Sequence, residues 1–100
     1  MVVVIFRSRL KPGVEAAIEA LGARLYELVT RMPGYLSYSE YQARDGEALA
    51  VVEFESAAAL DAWREHAEHR AAQALGKERF FASYRIQVCG VHRDYGWPVA

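Results

Sequence analysis

The spacing of apolar residues changes along this chain from two to between three and four and back, twice over, and that alternation limits the folds open to it. Val2, Val3, Val4 and Ile5 open a β-branched run that predicts a strand from Val2 to Arg9. Lys11, Pro12 and Gly13 break it. Val14, Ile18, Leu21, Leu25, Leu28, Val29 and Met32 then recur at helical steps. Glu15, Glu19, Arg24, Glu27 and Arg31 occupy the other face, the pattern of a helix lying on a sheet with one side in water. Pro33 and Gly34 stop that helix.

A second strand is predicted over Tyr35 to Gln42 and a third over Ala48 to Glu55, joined by a hairpin turn at Ala43 to Gly46 that contains Asp45-Gly46. Ser56 is placed to cap a second helix running through Leu60 and Trp63 to about Leu75, with Gly76 at the position just past its end. The last strand covers about Phe81 to Val91, where Ala82, Tyr84, Ile86 and Val88 alternate with Ser83, Arg85, Gln87 and Cys89. The order β-α-β-β-α-β is the split unit of the ferredoxin-like α+β fold: a four-stranded antiparallel sheet with two helices on one face. The face left bare calls for a second copy of the chain. Length fits a single domain over residues 1–100.

Charge and composition narrow the partners. The formal net charge is -1, with basic residues spread along the chain, which argues against nucleic acid or an anionic membrane. No stretch approaches the ~20 apolar residues of a membrane span, and the opening apolar run ends at Arg7. Cys89 stands alone, so no internal disulfide forms. A soluble, cytoplasmic protein is expected.

Trp63, His66 and Arg70 fall at i, i+3 and i+7, on the face that a continuous helix shares with Leu60, Ala67 and Ala74. Buried polar groups need partners, so His66 and Arg70 either line a pocket or pair with a strand residue such as Glu53. Spacing alone turns His69 away from Trp63. His66-x-x-His69 also raises a metal, but the remaining histidine, His92, is on the far strand and zinc wants three or four ligands, so none is expected. Phe6, Phe54, Phe80, Phe81, Tyr35, Tyr38, Tyr41 and Tyr84 either wall an aromatic pocket or fill core and interface. Tyr84 points with the apolar set of its strand and Arg85 with the polar set, alongside Gln87, Arg7 and Arg9. Tyr95, Trp97 and Pro98, in the tail Asp94 to Ala100, suggest docking on a pocket or a partner.

The run Trp63-Arg64-Glu65-His66-Ala67-Glu68-His69 resembles the W-x-x-H-x-x-H stretch of the antibiotic-biosynthesis-monooxygenase superfamily. Met32-Pro33-Gly34-Tyr35, Phe54-Glu55-Ser56 and Tyr84-Arg85-Ile86-Gln87-Val88 are similar to that family too, so the resemblance spans Val2 to Tyr95. It implies a homodimeric α+β barrel, each subunit holding a pocket between helices and sheet for a small aromatic molecule. It implies a cofactor-independent monooxygenase of quinols or phenols, with His66 or His69 as base, Trp63 beside it, and Arg70, Tyr84, Phe54 and Phe6 around the substrate. His69 enters that pocket only through a kink near Ala67, where no Pro or Gly forces one. Two other readings stand beside it: a non-catalytic dimeric binding domain, and a haem-degrading oxygenase. The haem-degrading relatives use an Asn on the first strand, and this chain has none.

Overall fold

A computed structural model describes residues 1–98. Its elements are β1 (Val2–Leu10), α1 (Glu15–Val29), β2 (Tyr35–Gln42), β3 (Ala48–Phe54), α2 (Ala57–Glu65), α3 (Ala67–Leu75), a π-helical turn over Gly76–Phe80, and β4 (Phe81–Gly90). The strands form one antiparallel sheet in the order β2-β3-β1-β4, so the ferredoxin-like α+β arrangement is as expected.

The register sorts the side chains onto two faces. Val4 lies opposite Val52 on one side and Val88 on the other, which puts Val2, Val4, Phe6, Val52, Phe54, Tyr84, Ile86 and Val88 on a single face. That face meets the helices: Val29, Phe54, Leu60 and Trp63 form the buried core, and Val2, Val4, Val52 and Tyr35 pack around it. Val3, Ile5, Leu49 and Val51 share the opposite face with Arg7, Glu53, Arg85 and Cys89. No helix covers it.

The core draws on β1, β2 and β3, because the helical layer is centred there. β4 lies beyond its edge. Tyr84, Ile86 and Val88 point to the helix side, yet remain 40%, 46% and 52% exposed. They form an apolar strip with no lid.

Two turns fix how the helices meet the sheet. Gly34 has φ +83° and joins α1 to β2, and its carbonyl accepts a 2.8 Å hydrogen bond from the Glu55 N–H. A Cβ at this position would lie 2.5 Å from the Ala59 Cβ, so α2 rests directly on the glycine. Ser56 caps α2 as expected, its hydroxyl accepting from the Ala59 N–H at 3.1 Å.

Three expectations need correction. The predicted second helix is two helices, α2 and α3, broken at His66, whose ψ of 127° is extended. Gly76 does not end the helix in a left-handed cap. It is right-handed (φ -59°), buried, and leads into the π-helical turn. A glycine suits it for another reason: a Cβ would come within 2.7 Å of the Phe81 ring. Finally, Tyr95 and Trp97 are 83% and 92% exposed, so the described part of the tail does not dock on its own subunit. Val99 and Ala100, also in the expected tail, lie outside the described residues.

Candidate functional site

The break at His66 reorganises the expected site. With the helix interrupted, the buried stripe of Leu60 and Trp63 is continued in α3 by the half-buried His69 and the buried Ala72. Ala67, Arg70 and Ala74, which a continuous helix would have turned to the sheet, are exposed. Arg70 is therefore not brought beside Trp63. The pairing of His66 or Arg70 with Glu53 is not formed either, since Glu53 lies on the far face and accepts from the Ser37 hydroxyl.

His69 stacks on Trp63, their ring centroids 4.4 Å apart and their planes 21° from parallel. Its Nδ1 is buried without a hydrogen-bond partner. Burial holds the imidazole below its ordinary pKa of 6.5; the Trp63 backbone carbonyl opposes this, and the charges of His66 and Arg64 add to it. At neutral pH, His69 is an uncharged base with a free lone pair or an undonated proton in an apolar setting. His66 sits at 5.6 Å from Trp63 with its ring tilted by 43°, and its Nδ1 accepts a 3.2 Å hydrogen bond from the Glu68 N–H.

The aromatic residues divide cleanly. Phe6, Phe81 and Tyr84 form a cluster with centroid separations of 5.4 to 5.9 Å on the helix side of β1 and β4. Phe54 is 1% exposed and offers no surface to a ligand, so its expected substrate contact is replaced by a core role. Tyr35 packs edge-on against Phe54, and Tyr38 against Tyr26 of α1. Tyr41 is exposed at the hairpin. Sequence reasoning did not single out Ile86 and Val88 for the site, although their alternation with Tyr84 already placed them on its face.

Neither of the two best-defined cavities joins these groups. Both are shallow, of about 240 and 400 Å³, and lie at the other end of the sheet; Arg7, Tyr84 and Arg85 help line one, and Leu10 and Glu15 the other. Neither touches Trp63, His66 or His69. The candidate site is a stacked imidazole–indole pair on the helical layer and an open apolar strip on β4. Among the described residues no three His, Cys, Asp or Glu side chains gather as a metal site, and no helix is long and apolar enough to cross a membrane.

Comparison with known proteins places the chain. Residues 1–75 match the family model for antibiotic biosynthesis monooxygenase. The Bacillus subtilis (strain 168) protein YqjZ, uncharacterized, is 32% identical over 71 residues, which cover 71% of this chain and 62% of that protein. This chain thus matches less than two thirds of YqjZ's length. Among solved structures, Rv0793 from Mycobacterium tuberculosis superposes with a TM-score of 0.83 at 24% identity, covering 95% of this chain and 98% of that one. SnoaB, a cofactor-independent oxygenase from Streptomyces nogalater, superposes with a TM-score of 0.77 at 14% identity, covering 97% and 96%. At such identities the likeness is one of fold.

Proposed function

The chain belongs to the antibiotic biosynthesis monooxygenase family, and from that premise we propose that it is a homodimeric, cofactor-independent monooxygenase of a small aromatic quinol or phenol. The observation that carries this reading is His69: an imidazole stacked on Trp63, depressed in pKa by burial, with an unpartnered Nδ1. A neutral imidazole with one unpartnered ring nitrogen is able to take a proton from an acidic substrate hydroxyl or methylene.

The substrate lies flat across the strip of Tyr84, Ile86 and Val88, with Phe6 at its base and Trp63 beside the base. His69 removes a proton and leaves an electron-rich carbanion. That carbanion reduces dioxygen and joins it at carbon, and the protonated His69 returns its proton to the resulting peroxide anion, giving a hydroperoxide. Loss of water turns the hydroperoxide into a carbonyl: a CH₂ and O₂ become C=O and H₂O, so atoms and electrons balance with no further reductant. The burial of His69 favours the step by keeping the imidazole neutral.

The exposed surface of the chain supports the homodimer in this reading. The chain exposes 7224 Å², against about 5,700 Å² for a monomeric protein of its mass. Its radius of gyration, 14.3 Å, also exceeds the ~13 Å of a compact hundred-residue domain. The excess, roughly 1,500 Å² per subunit by that scaling, falls in the range that stable homodimers bury. The bare sheet face with Val3, Ile5, Leu49 and Val51 is where a second copy fits, and its arrival would narrow the approach to β4.

Oxygen uptake by purified protein over a panel of naphthohydroquinones and anthrones tests the proposal. Turnover is expected with at least one of them and is lost in His69→Gln, while Arg70→Ala retains it. Absence of uptake throughout the panel, or a fully active His69→Gln, overturns it.

A further inference from the structure

The site depends on a helix break that neither proline nor glycine imposes, and the side chain standing at the break is His66. Its backbone leaves α2 with ψ 127°, while its carbonyl accepts from the Arg70 N–H at 2.9 Å and so begins α3. Its Nδ1 accepts from the Glu68 N–H at 3.2 Å, doing for α3 what the Ser56 hydroxyl does for α2. A ring nitrogen can accept only while it carries no proton.

A second tie holds the start of α3. Glu68 forms two hydrogen bonds, each 3.1 Å, with Arg24 of α1. The charged and titratable groups around His66 are therefore Arg64 and Glu65 at the end of α2, Glu68 and His69 in α3, and Arg24 across from Glu68. With the break in place, His69 lands three residues on and stacks against Trp63. Without it, helical geometry turns that position away from Trp63 and brings Arg70 round instead.

We propose that His66 is the positioning residue of this site: its imidazole caps α3, sustains the break, and thereby sets His69 on Trp63. The inference rests on the reading of His69 as the base, but its own geometry needs no substrate.

The test uses no substrate either, so its outcome is separate from that of the oxygen-uptake assay. In a Trp97→Phe background, Trp63 is the sole tryptophan and its emission titrates with the imidazole stacked on it. The His69-linked emission step is expected to vanish in His66→Ala and to persist in His66→Asn, since Asn restores a side-chain acceptor at the cap. Persistence of the step in His66→Ala, or its loss in both variants, overturns the proposal. Should His66→Ala fail to fold, nitrogen-15 spectra of the native chain decide: neutral His66 is expected with its proton on Nε2 and Nδ1 bare. A proton on Nδ1 at neutral pH refutes the cap.

Discussion

Gly34→Ala is expected to be among the most damaging single-methyl additions in the chain, and the structure gives both parts of its cost. The residue has φ +83°, a left-handed conformation that costs an L side chain about 1–2 kcal/mol. The added methyl would also sit 2.5 Å from the Ala59 Cβ, a rigid atom on the first turn of α2. Relief requires α2 to move, and overpacking of that kind costs about 1–3 kcal/mol. Reduced freedom of the unfolded chain returns about 0.4–1 kcal/mol, leaving a net loss of roughly 2–4 kcal/mol. At about 4–8 °C per kcal/mol for a domain of this size, the midpoint falls by roughly 8–30 °C.

Gly13 separates the two terms. Its φ is +80°, but a Cβ there meets nothing within 4 Å, so Gly13→Ala carries the conformational part alone, about 1 kcal/mol. Ala59→Gly removes the obstructing methyl at a helix-propensity cost of about 0.5–1 kcal/mol. In a double-mutant cycle followed by urea unfolding, Gly34→Ala and Ala59→Gly are expected to couple favourably by about 1–3 kcal/mol. Equal losses for Gly34→Ala and Gly13→Ala, with no coupling to Ala59, would refute the argument that α2 is seated on this glycine.

Other consequences follow from the same geometry. Gly76→Ala drives a methyl to within 2.7 Å of the Phe81 ring, so it is expected to cost about 1–3 kcal/mol and to shift the ring resonances of Phe6 and Tyr84 by NMR. Because burial lowers the His69 pKa, the unfolded chain binds a proton at His69 before the folded chain does. Stability is therefore expected to fall as pH drops below about 6.5, the ordinary imidazole value, until the folded group titrates too. Urea midpoints of His69→Gln should lack that component. The lowered carboxylates of Asp45, held by Arg9, and Glu68, held by Arg24, act in a more acidic window: their contribution is present above the ordinary carboxylate pKa and disappears below it. Raising the salt concentration should weaken these exposed pairs and leave the His69 component in place.

Much of the fold was legible because its determinants are local and repeated. The β-branched run of β1, the helical spacing from Val14 to Met32, Asp45-Gly46 in the hairpin and Ser56 at its cap each name an element in the sequence. Which face of β4 carries Tyr84 followed from simple alternation. The break at His66 was implied by the family resemblance, which needed a kink near Ala67, but was not legible in the residues themselves, because the usual breakers are absent and the residue that makes the cap is one whose side chain seldom does so. That one dihedral decides the site: it exchanges Arg70 for His69 beside Trp63. Phe54 was misplaced for a related reason, since alternation gives a side chain its face of the sheet but not the helix that covers it. The same limit hid the exposure of Ile86 and Val88, which depends on where the helical layer ends.

The account stands or falls on whether an aromatic substrate binds against both His69 and the apolar strip of β4. Anaerobic titration with 1,4-naphthohydroquinone, followed by NMR, addresses this without requiring turnover. Saturable shifts are expected at the His69 imidazole, the Trp63 indole and the methyls of Ile86 and Val88, with the exposed Tyr41 ring unmoved. Shifts confined to the bare sheet face, around Val3 and Leu49, with His69 and Trp63 undisturbed, would contradict it.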